Sequence, residues 1–300
     1  MKTLQIPFTI FCLLAISVTS AHAAKFASAK VLSVNGDVTK YSASGYQSRL
    51  KVGNIIVEGD SINSSKSSNA SLVFSNGSKI TINQNSCVKM AKRKQDAFDS
   101  NQTYSQLQAD PSKSQTIIQL DYGQVKGNVK KLSKLSSFWI KTRMGTASMQ
   151  GSCETIVKFN YEKISKEFQL RIRNVKGSCD FIGQGNANYY AIDNINGDPD
   201  EVKNEFNGEA LTEPTTLPEE TALVVTCGQE NPVRNAIIVG LTTIPGVDIV
   251  TTTDGNVAVA VDTPVINNQG GGSIPSPEIT PEDAGIIPVS PDDQAPSEQV

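Results

Sequence analysis

The stretch Ala70-Ser71-Leu72-Val73-Phe74-Ser75-Asn76-Gly77-Ser78-Lys79-Ile80-Thr81-Ile82 decides the class of fold. Apolar side chains largely alternate with small polar ones on both sides of Asn76-Gly77, the two-residue period of strands with one buried face. Asn-Gly between such runs predicts a tight hairpin, because a two-residue loop needs positive φ at both central positions. Toward the N-terminus the pattern repeats. Residues 30–34 read as a strand, Asn35-Gly36 as a turn, 37–41 as its partner, and 54–57 as a further strand before Gly59-Asp60. Turns at about ten-residue spacing predict an all-β domain.

Toward the C-terminus, residues 86–115 break this pattern. They are polar, carry Lys89, Lys92, Arg93 and Lys94, and read as a basic surface insertion with at most one helical turn. Strand character returns at 116–120, 123–129 and 138–142, followed by a longer hairpin, 154–161 with 167–175, turning near Lys163-Ile164. Residues 188–192 predict another strand. Asp198 and Pro199 open a short helix that Asn207-Gly208 would close, and 221–226 and 236–241 read as two more strands. The chain thus divides into a β domain over 29–180, an extension over 181–262 and a Pro/Gly-rich acidic tail over 263–300. The tail's composition cannot repay the entropy of ordering.

Composition narrows the chemistry. The 300 residues include one histidine, His22, within an N-terminal leader pattern: Lys2, an apolar run over 8–18, then Ala21-His22-Ala23. Such a pattern predicts a secretory signal peptide over 1–23, too short in its apolar centre for a membrane anchor. Cleavage leaves no imidazole, which removes Ser-His-Asp and Cys-His hydrolases and His-ligated zinc. Export to the periplasm or the cell surface is the expected localisation, with no transmembrane anchor. Charge is uneven along the chain: residues 25–197 hold 24 Lys and Arg against 12 acids, whereas 198–300 hold 2 against 18. A basic body followed by an acidic tail predicts contact with an anionic partner, or a tail lying across the body.

Beyond the leader's Cys12, four cysteines remain. Cys153 and Cys179 end matching Gly-Ser-Cys triplets on either side of the long hairpin, so a disulfide between them is expected in an oxidising compartment, with buried free thiols as the alternative.

The ordered motifs resemble a known family. Val31-x-x-x-x-Gly36-x-Val38, Leu50-x-x-Gly53, Gly59-Asp60-x-Ile62 and the stretch over 70–82 are similar to the FecR domain, an extracytoplasmic β-rich module. Leu120-x-x-Gly123-x-Val125 resembles its G-x-V strand, and Phe138-x-Ile140-x-Thr142-x-x-Gly145-x-Ala147-x-x-x-Gly151-Ser152 resembles its closing signature. Gln150 and Ser152 stand where the family usually has Arg and Thr. The resemblance covers roughly residues 29–180 and implies a short-strand roll or a β-solenoid-like domain. It also implies a sensory or binding role rather than catalysis. Family members that regulate sigma factors carry a cytoplasmic segment and a spanning helix ahead of the domain; here a leader pattern occupies that place.

No catalytic residue, cofactor site or metal site is expected. Asp37 and Asp60 read as turn-capping carboxylates, and Asp193-Asn194-Ile195-Asn196-Gly197-Asp198 departs from a calcium loop in the order of Gly197 and Asp198. Gly36, Gly53, Gly59, Gly77, Gly145 and Gly151 read as structural corners. Lys92, Arg93, Lys94, Lys126, Lys130, Lys131 and Lys134 are the candidate polyanion contacts, with Lys141 and Arg143 beside them. An envelope protein, anionic polysaccharide or peptidoglycan is the expected partner. Nucleic acid is disfavoured by export and by the scarcity of interleaved aromatics. The two competing readings are a self-associating surface or matrix protein and a secreted enzyme.

Overall fold

The computed structural model describes residues 27–99, 101–183, 188–192 as backbone, 214–253 and 256–262. The leader, the 193–198 loop, the helix expected from Asp198 and the tail over 263–300 fall outside them. The strands run as β1 (Ala29–Asn35), β2 (Val38–Tyr41), β3 (Gln47–Arg49), β4 (Ile55–Ile56), β5 (Ser61–Ser64), β6 (Asn69–Phe74), β7 (Lys79–Ile82) and β8 (Ser86–Gln95). They continue as β9 (Ser114–Val129), β10 (Ser137–Lys141), β11 (Gly145–Met149), β12 (Cys153–Glu162), β13 (Glu167–Lys176), β14 (Cys179–Gly183) and β15 (Asn188–Ile192). Beyond these come β16 (Thr215–Leu217), β17 (Thr221–Cys227), helix α1 (Val233–Thr242), β18 (Val247–Thr251) and β19 (Val257–Val261).

Two sheets form. The first runs β4-β1-β6-β7-β9-β12-β13-β17-β15. The second runs β3-β2-β5-β8-β9-β10-β11-β14-β16. Only β9 and β10 are parallel among these neighbours. β9 belongs to both layers: its residues 114–122 pair with β8, and its residues 123–129 pair with β12. The crossing is made at Gly123, whose φ is +98°. A Cβ there would lie 2.4 Å from the Asn85 carbonyl oxygen, so only glycine fits. The all-β expectation holds, and antiparallel neighbours with a shared strand give a two-layer roll rather than stacked coils.

Alternation explains the layers. In β12 every second residue from Cys153 is buried and the residues between are half-exposed. The inward side chains of both sheets make one continuous apolar core. Phe74 of β6 meets Phe138 of β10 edge to face at 5.4 Å, one ring from each sheet. Burial of each such ring contributes about 1.5–3 kcal/mol.

Several local expectations are corrected. Asn35-Gly36 closes no hairpin: β1 pairs with β4 and β6, and β2 with β3 and β5, so this turn carries the chain between layers. Asn76-Gly77 does close β6 on β7, but with a three-residue loop. The Phe74 N–H donates to the Ser78 carbonyl and the Gly77 N–H to the Phe74 carbonyl, each at 2.8 Å, and Gly77 alone takes positive φ, at +81°. Residues 86–95, expected in a surface insertion, form β8 between β5 and β9. The excursion is confined to the stretch between β8 and β9.

The sheets do not stop at residue 180 either, since β14 and β16 join the second sheet and β17 the first. The strand expected over 236–241 is helix α1. Ile237 and Leu241, four apart, are its buried apolar face, and the Asn231 side chain accepts from the Val233 N–H at 2.9 Å to start it. This segment covers one end of the second sheet's outer face: Arg143 Nη2 donates to the Gly240 carbonyl at 2.9 Å, and Asn63 Nδ2 to the Pro245 carbonyl at 2.6 Å. No described helix is long and apolar enough to cross a membrane.

Candidate functional site

The other end of that outer face is uncovered by α1, and the strand period decides what it shows. In β10, Phe138 and Ile140 point into the core, so Trp139 and Lys141 point out. Trp139 pairs with Ile117 of β9, which pairs in turn with Lys92 of β8. One row along, Lys141 pairs with Gln119 and Gln119 with Lys89. Lys94 lies opposite Gln115, and the Lys141 Nζ stands 5.4 Å from the centre of the Trp139 ring. Lys89 and Lys94 are exposed, and Lys92, Trp139 and Lys141 half-exposed. The three strands put four lysines around the chain's single tryptophan, and residues 89–94, 115–119 and 137–141 contain no carboxylate. Such a surface favours an anion electrostatically while the indole offers a flat contact area.

Arg93 is turned the other way, and its expected polyanion contact is corrected. It is 3% exposed, because the alternation that points Lys92 and Lys94 outward points Arg93 between the sheets. Its guanidinium donates to Thr116 Oγ1, and at 2.9 Å each to the Ser28 carbonyl and Ser75 Oγ. It also lies 4.6 Å from the centre of the Phe74 ring. Burial pulls its pKa down to about 10, against the smaller opposing pull of Tyr104, Asp110 and Glu58. The network continues from Ser75 Oγ to Gln95, then from Gln95 Nε2 to Asp110 Oδ1 at 3.3 Å and from Ser114 Oγ to Asp110 Oδ2 at 2.6 Å. Burial raises the Asp110 carboxyl, with the hydrogen bonds from Ser114 and its neighbours opposing.

The remaining basic candidates are scattered. Lys126 is on the outer face of the first sheet, paired with Glu154 at 2.7 Å. Lys130, Lys131 and Lys134 follow β9 in the loop toward β10; Lys130 Nζ reaches Gln108 Oε1 at 3.5 Å and Lys131 bridges to Ala109. The structure therefore joins Lys92 and Lys94 to Lys89 and Lys141, and leaves the other four in different places. Trp139 was not among the sequence candidates. Its signal was available in the alternation of Phe138-Trp139-Ile140-Lys141, which puts ring and ammonium on one face.

Cys153 and Cys179 open neighbouring stretches of β12 and β14, and both are buried free thiols, as are Cys87 and Cys227. The expected disulfide is not formed in this structure. Burial pushes the Cys153 and Cys227 thiols up to about 11 and Cys179 to about 12. Gly36, Gly53, Gly59, Gly77 and Gly151 all take positive φ. Gly145 instead is a close approach, where a Cβ would lie 2.3 Å from the Phe181 ring. Asp60 caps its turn by accepting from the Val57 N–H at 3.0 Å and pairs with Lys40 at 3.0 Å.

No curated protein matches the chain. Two solved structures are similar to it, both of a proposed anti-sigma factor from Parabacteroides distasonis ATCC 8503, determined at 1.65 Å and 2.50 Å. The first shares 9% identity at a TM-score of 0.34, covering 60% of this chain and 65% of its own. The second shares 8% at a TM-score of 0.34, covering 68% of this chain and 99% of its own. A superposition of that quality carries neither fold nor function across. The family comparison is more specific: residues 60–172 match the model described as FecR protein. On the structure the matched residues run from the turn before β5 into β13.

Proposed function

We propose that this chain is a non-enzymatic FecR-type binding module of the bacterial envelope, exported by its leader and acting as a scaffold or sensory-accessory element. It contacts an anionic envelope polymer or protein through the Trp139 face. The observation that carries this reading is the set of Lys89, Lys92, Lys94 and Lys141 around Trp139, which outnumbers the nearby carboxylates, Glu58 on the Arg93 N–H at 2.9 Å and Asp121 within electrostatic reach of Lys89. The buried, raised thiols support a non-catalytic role, since the thiolate is the nucleophile and is scarce at neutral pH here. Self-association through strand edges has little to use at β3, β4 and β16, which have 3, 2 and 3 residues; β15, with 5, is the longest edge of the two sheets.

Trp139 supplies its own readout, being the chain's single tryptophan. Titrating the full chain with soluble alginate, an anionic polysaccharide, should change its emission saturably, with weakening as salt rises. The double variant K92E/K141E should bind about tenfold less tightly. Equal response in the wild type and the double variant, or none in either, overturns the reading.

A further inference from the structure

A second site lies on the seam where β9 leaves one sheet for the other. A cavity of about 290 Å³ opens there, lined by Asn83, Gln84, Asn85, Tyr122, Gly123, Gln124, Lys158 and Asn160. The lining comes from three places: the turn between β7 and β8, the bend of β9, and the end of β12. Five of these side chains are carboxamides. Gln84 is engaged, accepting from the Ser67 N–H at 3.0 Å. The carboxamides of Asn83, Asn85, Gln124 and Asn160 have no partner among the described residues.

Asn160 is the telling one. Its Oδ1 is buried from solvent and accepts no hydrogen bond. Leaving a buried acceptor unpaired costs about 1–3 kcal/mol, so native structures seldom keep one without use. The cavity wall is held in place by its backbone: Asn85 takes the left-handed φ of +49°, and the Gln124 N–H is tied to Ser86 Oγ at 2.9 Å.

The chemistry of the lining selects the ligand. Each carboxamide offers both donors and an acceptor, the pairing that a sugar hydroxyl or an N-acetyl group satisfies from both sides. Tyr122 adds an aromatic body, and its hydroxyl, raised chiefly by burial, stays protonated. No carboxylate lines the cavity, so a metal ion has no hard anionic ligand in it. The volume is at the small end of ligand pockets, enough for one sugar ring or the end of a chain.

We infer that this carboxamide-lined cleft is a saccharide subsite, taking one unit of a neutral glycan. It does not depend on the Trp139 face, which lies on the outer side of the other sheet. The side-chain NH₂ resonances of the full chain provide the test, with two probes, chitotetraose and cellotetraose. Saturable shifts of the Asn83, Asn85, Gln124 and Asn160 NH₂ signals are expected with at least one probe, at a Kd of about 1 mM. A preference for chitotetraose would assign an N-acetylated glycan such as peptidoglycan, and a preference for cellotetraose a plain hexose polymer.

Asn160→Leu, which removes the orphan acceptor, should weaken binding at least about tenfold, while Asn160→Asp, which keeps acceptors, should retain most of it. Asn160→Leu should not lower the melting temperature, because Asn160 supports no other group among the described residues. K92E/K141E should leave saccharide binding unchanged, which separates failure here from failure of the anion-binding reading. Absence of shifts with both probes, or shifts untouched by Asn160→Leu, overturns the inference.

Discussion

The two faces of β8 carry nearly the same side chains to opposite ends. Lys92 and Lys94 reach solvent beside Trp139, while Arg93 between them is buried against Phe74 and donates to the Ser28 carbonyl and Ser75 Oγ. Inside, a cation is a structural tie whose loss strands several polar groups; outside, it is a surface charge with freedom to meet a ligand. Chemical type says little here. Direction, set by the two-residue period, decides whether a charge holds the fold or faces a partner.

The comparison breaks most readily at Arg93. Arg93→Ala leaves Ser75 Oγ, Thr116 Oγ1 and the Ser28 carbonyl without their donor. It should cost about 3–5 kcal/mol by urea denaturation, the range for breaking a buried charged network.

Asp110, at the far end of the same network, gives a smaller effect with a definite pH sign. Its folded pKa is raised above 3.8 by burial. Between 3.8 and that higher value the native state holds a proton that the unfolded chain has released, so stability falls as pH rises through the window. Asp110→Asn removes this term. It should flatten the stability profile over that window, measured by denaturation at a series of pH values.

The smallest effect belongs outside. Lys92→Ala and Lys94→Ala should each change stability by less than about 0.5 kcal/mol, while their effect on anion binding remains measurable by Trp139 emission.

These differences also mark what the sequence could reveal. Residues 70–82 were legible because their inward side chains are apolar and their outward ones polar, so pattern and burial coincide. β8 was not, because its inward set includes Arg93 and Gln95, polar groups satisfied by partners later in the chain, Thr116 on β9 and Asp110 in the stretch before it. Asn35-Gly36 gave a correct turn but a wrong pairing, since a local signal cannot say which sheet the next strand enters. Over 236–241 the apolar, β-branched composition favours a strand. The Asn231 hydrogen bond to the Val233 N–H and the burial of Ile237 and Leu241 favour the helix that forms. The cleft on the seam was invisible for a simpler reason: its carboxamides come from three segments far apart in the chain. The Trp139 face, by contrast, was within reach of strand alternation applied to residues 138–141.

β9 has a mechanical consequence of its own. Because a single segment is stitched into both layers, neither can peel away without stripping hydrogen bonds from the other. A load applied to one sheet, by an anchored polymer or a tethered neighbour, is passed on to its companion rather than dissipated by sliding between them. Deformation begun at either surface is therefore felt at the opposite one.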